Sequence, residues 1–164
     1  IGKNTSVNWP TGLGGKGNEG VAGLIKQIPN SIGYVELIYA LQNKMPAGTI
    51  KNKKGNFIKP TPEAASLAAN IPLPADTRVS LTDTDAVGGY SISGFSWLLV
   101  YQEQNYDNRQ LNNMEQLVKL FWWMIHEGQE FVKPLSFSPL PAEAVRNGEK
   151  LLKSITFKGK PILN

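Results

Sequence analysis

Three glycines in the pattern Gly12-x-Gly14-x-x-Gly17 match the dinucleotide fingerprint, and Glu36 lies 19 residues beyond the last of them, at an expected strand end. Such a loop lets a helix N-terminus approach a pyrophosphate, while the acid takes a ribose hydroxyl. Three features oppose that chemistry. The strand expected before the loop is very short and is followed by Pro10. Asn18 is a good N-cap and Glu19 suits a first turn, so a side chain and a carboxylate occupy the helix N-terminus. Nothing downstream supplies the rest of a six-stranded nucleotide fold. A P-loop is excluded as well, because Lys16 precedes Gly17 rather than Lys-Ser/Thr.

His126 is the only histidine, beside Glu127 in the last turn of an expected helix. A cation there complements the helix C-terminus. With no second His and no Cys, a metal site lacks its usual ligands. A Ser-His-Asp arrangement stays open, although there is no Gly-x-Ser-x-Gly elbow. Structural use of His126 is favoured. Asp83 and Asp85 form a carboxylate pair for metal or acid–base work, or loop acids that turn the chain; the second is favoured. Trp122-Trp123 reads as a binding platform or as one core and one half-exposed ring, since helical neighbours point about 100° apart.

The elements that position these residues follow from periodicity and punctuation. A short extended piece is expected at residues 6–9. A helix runs from the Asn18 cap to about Gln27, with Val21, Leu24, Ile25 and Ile28 as its buried stripe. Residues 32–35 read as a buried strand, and Glu36 starts a second helix through Gln42. A hairpin spans residues 49–58, turning at 52–55. Lys51, Lys53 and Lys54 make its solvated tip, too short and too poor in aromatics for a nucleic-acid arm. Thr61-Pro62 opens an alanine-rich helix. Residues 70–91, with Pro72, Pro74 and Gly88-Gly89, are the best place for a crossing between two structural units.

Residues 92–101 carry the strongest strand signal, with Phe95, Trp97, Leu98, Leu99 and Val100 nearly continuous, as in a strand buried on both faces. Asn112-x-x-Glu115 reads as a capping box. The helix behind it places Met114, Leu117, Val118, Phe121 and Ile125 on one face and ends at Gly128. Pro141 opens the last helix, with Val145, Leu152 and Ile155 inward; residues 157–161 form a tail turn. Strands and helices alternate, so the expected class is α/β.

The 164 residues suffice for one domain or two half-domains, and 41% apolar content supports a core. Cys is absent, which excludes disulfides and thiol chemistry. No apolar run reaches the ~20 residues of a membrane span, and no signal peptide is present. The chain starts with Ile1-Gly2 rather than Met, which suggests a processed or trimmed product.

Residues 9–21, Trp-Pro-Thr-Gly-Leu-Gly-Gly-Lys-Gly-Asn-Glu-Gly-Val, and 32–36, Ile-Gly-Tyr-Val-Glu, resemble the carboxy-terminal half of the periplasmic phosphate-binding proteins of bacterial ABC phosphate importers. Pro60-Thr61-Pro62-Glu63, Tyr90-Ser91-Ile92-Ser93, Leu120-Phe121-Trp122-Trp123 and Ser138-Pro139-Leu140-Pro141 follow in the family's order. The resemblance implies a portion of a two-lobe, type II binding-protein fold with both lobes incomplete. Residues 1–90 would be the remainder of the second lobe and 91–164 the return to the first.

It also implies a phosphate-binding component of an uptake system, not an enzyme, without a cofactor, in the periplasm or otherwise outside the cytoplasm. Its partners would be inorganic phosphate in the complete protein, the membrane permease subunits, and either the amino-terminal half or a second copy of this chain, with no nucleic acid. The family's anion ligands lie in the amino-terminal half and in an Arg-x-x-x-Ser-Gly-Thr segment that does not occur here. No phosphate ligand is therefore carried over. Gly14, Gly15, Lys16, Gly17 and Asn18 are placed at the cleft edge or as a supporting loop. The alternative is an interaction subunit that reuses the lobe fold without binding anion. Such a chain, taken alone, is expected to expose sheet edges and apolar faces.

Overall fold

The computed structural model describes Gly2 and residues 7–163; Ser6, which begins the extended piece expected at residues 6–9, lies outside them. The chain divides into two compact units, residues 1–47 and 48–164.

The first unit is two helices and the loop that precedes them. Helix α1, Gly17–Gln27, stops ahead of Pro29 as the sequence requires. Its only fully buried side chain is Ala22; Val21, Leu24 and Ile25 are half-buried and Ile28 is exposed. The expected stripe is therefore on the right face but covered only in part. Helix α2, Leu37–Gln42, follows Glu36 and buries Ala40. Between them residues 32–35 have no regular secondary structure and are not a strand. Ile32 is 98% exposed and Tyr34 75%. The reason is physical: no amide of residues 32–35 donates to a backbone carbonyl among the described residues, and a strand without a neighbour is not stable.

In the second unit, strands β1, Ile50–Lys51, and β2, Phe57–Ile58, form the expected antiparallel hairpin, with Ile50 opposite Ile58. The Gly55 amide donates to the Asn52 carbonyl at 2.8 Å across the turn. Helix α3, Pro62–Ala68, opens as expected, the Thr61 hydroxyl accepting from the Ala64 amide at 3.1 Å. It buries Ala64 and Ala68 with Ala69, Leu73, Leu81 and Ala86 of the irregular segment behind it. Gly89 lies so close to α3 that an added Cβ would sit 2.8 Å from the Ala68 Cα.

Asn52 joins the hairpin to that segment. It is buried, and its carboxamide donates to the carbonyls of Val87 at 2.9 Å and Gly89 at 3.2 Å while accepting from the Asn56 amide at 3.0 Å.

The strand expected at residues 92–101 does not form. Leu99 is 95% exposed, and Ile92, Trp97, Leu98 and Tyr101 are exposed with it. No amide in this stretch donates to a backbone carbonyl among the described residues. An apolar strand buried on both faces needs a sheet on each side, and the described residues hold only two two-stranded hairpins. The expectation of exposed apolar faces holds; the expectation of buried strands does not. What stands of the α/β expectation is its coarse form, helices mixed with small strands.

The core of this unit lies between helix α4, Leu111–Ile125, and helix α5, Ala142–Lys153. Val118 is fully buried, with Leu152 and Ile155, and Phe121, Trp122, Ile125, Ile162 and Leu163 pack around them. The apolar face read from the sequence is the one that packs. The caps differ. Gln110, not Asn112, precedes α4, and Asn112 is helical, so no capping box forms. At the other end the α-helix stops at Ile125 and tightens into a 3-10 turn, Glu127–Phe131, that includes Gly128.

Strands β3, Thr156–Phe157, and β4, Lys160–Pro161, make the tail turn, with positive φ at Lys158 (51°) and Gly159 (73°). That is the mirror-image turn favoured by two-residue hairpins. The Glu103 carboxylate accepts from the amides of Gly159 at 2.9 Å, Lys158 at 3.0 Å and Asn105 at 2.8 Å. These amides, Gly159 first and Asn105 next, hold its pKa down to about 2.

Replacing Asn52 by Ala strands two or three buried carbonyls, and the expected loss is about 1–3 kcal/mol of unfolding free energy. Urea unfolding of N52A against wild type, followed by far-UV circular dichroism, measures it; an unchanged midpoint contradicts this role. Glu103 gives a pH prediction. Its folded pKa is depressed, so its stabilisation is present above about 4.5 and fades as pH falls towards about 2. The protection factors of the Lys158 and Gly159 amides, measured against intrinsic exchange at each pH, fall over that window in wild type and are already low in E103Q.

Candidate functional site

The glycine loop was the sequence's strongest candidate, and its geometry is built by two glycines at positive φ. Gly12 at 110° and Gly17 at 66° turn the chain where a side chain would be strained. Gly15 lies against the first turn of α1; a Cβ there would sit 2.5 Å from the Val21 amide nitrogen. The loop is thus folded onto its own helix. Gly14, Lys16 and Gly17 are exposed, and Gly15 and Asn18 are half-buried.

Asn18 is not the N-cap. The helix starts one residue earlier, after Lys16, and no side chain caps it. The turn at Gly17 puts Asn18 inside the helix and frees its carboxamide oxygen, which accepts from the Glu36 amide at 2.8 Å. Asn18 therefore fixes the start of α2. Glu19 occupies the first turn as expected. Its carboxyl is held below the usual range by its own backbone amide and by the Tyr39 hydroxyl, which donates to it at 2.8 Å. The same contact raises the Tyr39 pKa. A fixed negative charge at the helix N-terminus repels an incoming phosphate group. Lys26 Nζ donates to the Asn43 carboxamide at 3.3 Å, so α1 and α2 are tied at both ends of one shallow groove.

Glu36 is exposed at the start of α2. Among the described residues there is no strand before the loop and none at residues 32–35, so the nucleotide reading finds no scaffold in them.

In the second unit, Asp83 and Asp85 do not act as a pair. Asp83 accepts from the Lys53 amide at 2.7 Å and the Ser91 hydroxyl at 3.2 Å. Asp85 pairs with Lys53 at 3.2 Å and Lys54 at 3.4 Å, and Lys53 foremost holds its carboxyl low. Both are loop acids that fasten the hairpin. Lys53 and Lys54, two of the three lysines of the tip, pair with Asp85 while remaining exposed to solvent, as Lys51 is.

His126 presents both ring nitrogens to oxygen acceptors, the Trp122 carbonyl at 2.8 Å and Glu149 Oε1 at 2.9 Å. Neither is a nucleophile, so no Ser-His-Asp arrangement is assembled. Trp122 packs on the core and Trp123 is partly exposed, the divided arrangement expected of helical neighbours.

Among the described residues no group of three His, Asp or Glu could hold a metal ion, and no helix is long and apolar enough to cross a membrane. Sequence reasoning missed Tyr39, Asn52, Glu103 and Glu149. Each has a partner 20 to 56 residues away, which no local spacing signals.

The decisive observation is similarity along nearly the whole chain. It is 38% identical over 152 residues, 91% of its length, to the phosphate-binding protein PstS of Xylella fastidiosa strain Temecula1. The chain is homologous to part of the PstS phosphate-binding proteins. The PstS of Haemophilus influenzae is 35% identical over 151 residues (88% of the chain), and that of the archaeon Methanocaldococcus jannaschii 32% over 166 (90%). No protein-family model matches the chain. The chain spans about two fifths of these relatives, 41%, 43% and 42% of their lengths respectively.

The Asn18 bond yields a local prediction. In N18A the Glu36 amide loses its acceptor and its hydrogen exchange accelerates, whereas K16A leaves it unchanged. Equal exchange in N18A and wild type excludes the assignment.

Proposed function

We propose that this chain is the carboxy-terminal portion of a phosphate-binding protein that serves an ABC phosphate importer outside the cytoplasm, and that its anion site is completed by an amino-terminal portion. The observation that carries this reading is the 38% identity to a PstS protein over 91% of the chain but only 41% of that relative. Two features of the structure support it. The apolar segments at residues 32–35 and 92–101 have no regular secondary structure, donate no backbone hydrogen bond to a carbonyl among the described residues and are largely exposed, as strands would be if their sheets were furnished by further polypeptide. The loop at residues 12–18 is folded onto α1 with Glu19 in its first turn, which suits a supporting loop better than an anion cradle.

On this reading residues 1–90 belong to the second lobe and 91–164 return to the first. Gly14, Gly15, Lys16, Gly17 and Asn18 shape the edge of the cleft by fixing α1 and, through Asn18, the start of α2. The chain carries no chemistry of its own; it closes with its counterpart over the anion and presents it to permease subunits. A second reading, an interaction subunit that binds no anion, is favoured only by the acidic first turn of α1.

Calorimetric titration with inorganic phosphate separates them. The expected result is no binding by the chain alone and saturable binding once the amino-terminal portion of a PstS protein is added. Heat of binding in neither sample favours the interaction subunit. Tight binding by a cooperatively folded monomer of the chain alone overturns the need for a counterpart.

A further inference from the structure

The environment of His126 fixes where its protons must be. Nδ1 faces the Trp122 carbonyl at 2.8 Å, and a carbonyl has no proton to give, so Nδ1 carries the hydrogen. A neutral ring then has a bare Nε2, which here lies 2.9 Å from Glu149 Oε1. A bare nitrogen against a carboxylate places lone pair on lone pair. Both contacts are satisfied only when one further proton is held between imidazole and carboxylate.

We propose that His126 and Glu149 form a proton-operated latch between the C-terminal end of α4 and the middle of α5, closed while that proton is held and opened when it leaves. The helices are close beside the latch: a Cβ on Gly148 would sit 3.2 Å from the Ile125 side chain. Beneath it is the core of Val118, Leu152 and Ile155. The surrounding charges are mixed. Trp122 stacks on the imidazole with centroids 4.5 Å apart and favours a cation on its face. Glu127, in the 3-10 turn, and the helix C-terminus also favour the charged ring. Desolvation opposes it, and the nearby cation is Lys153 of α5, 5.8 Å from the Trp122 ring centroid.

The hydrogen bond to Glu149 first, then that to the Trp122 carbonyl, raises the His126 pKa. A group raised in the folded state stabilises fully below its unfolded value, about 6.5, and the contribution is lost as pH rises through the folded value. The closed latch therefore belongs to pH below about 6.5, and it opens as pH rises through the raised folded value.

His126 is the only histidine, so its Cε1–H resonance in the full chain reads the latch without assignment. The expected titration midpoint lies above 6.5, and nitrogen shifts at about pH 6 show both ring nitrogens protonated. E149Q shifts the midpoint down. Its carboxamide can donate to the bare Nε2, so thermal unfolding of E149Q varies less between about pH 6 and pH 9 than that of wild type, which falls. A midpoint at or below 6.5, or one that E149Q does not move, overturns the latch. An equal pH dependence of unfolding in the two proteins does so as well.

Discussion

Every amide and carbonyl of a buried extended backbone needs a partner, and a chain can satisfy that need only with segments it contains. This constraint decides which elements of the protein form. Where two extended segments lie a few residues apart, they pair: Ile50–Lys51 with Phe57–Ile58, and Thr156–Phe157 with Lys160–Pro161. Where the neighbour is not within the described residues, the most apolar stretches form no strand and largely face solvent. A buried strand at residues 92–101 would bring Leu98, Leu99 and Val100 out of water, each worth about 1.5–3 kcal/mol. That gain is forgone because unpaired amides cannot follow the side chains inward.

What holds the second unit instead is helix packing and a set of side chains that stand in for sheet. Val118, Leu152 and Ile155 supply the dry contact between α4 and α5. Asn52 gives the buried carbonyls of the 86–89 turn the donors that a neighbouring strand would have given. Glu103 does the complementary task, accepting from three loop amides beside β3 and β4. Buried Gln104 adds its amide to the Thr156 carbonyl at 2.8 Å and its carboxamide to the Tyr101 carbonyl. Polar side chains can replace a ladder over three or four residues, but not over the ten of residues 92–101.

The same constraint explains what was legible in the sequence. Helices satisfy their own backbones, so α1, α3, α4 and α5 appear where periodicity and Pro or Gly punctuation place them, and the Thr61 cap forms. One expected cap failed because it had a competing partner. Asn18 was drawn to the Glu36 amide, 18 residues away, once Gly17 had turned the chain. Strand composition at residues 32–35 and 92–101 was read correctly as apolar and β-branched or aromatic, yet a strand is a property of two segments. At the candidate site the glycines and Glu19 were visible from local chemistry. Tyr39, which holds Glu19, was not, because its distance in sequence corresponds to no helical or strand repeat.

The glycine loop shows how far a motif depends on its setting. Glycines allow close approach, but what approaches is settled by the space and charge around them. At Gly15 the close neighbour is the chain itself, the backbone of Gly20 and Val21. At the helix N-terminus the neighbour is Glu19, whose carboxylate accepts its own amide and is steadied by Tyr39. An anion placed there would have to displace one negative charge with another, at a position whose half-unit of positive dipole is already neutralised. The loop's conformation is thus used to orient α1 and, through Asn18, the first residue of α2.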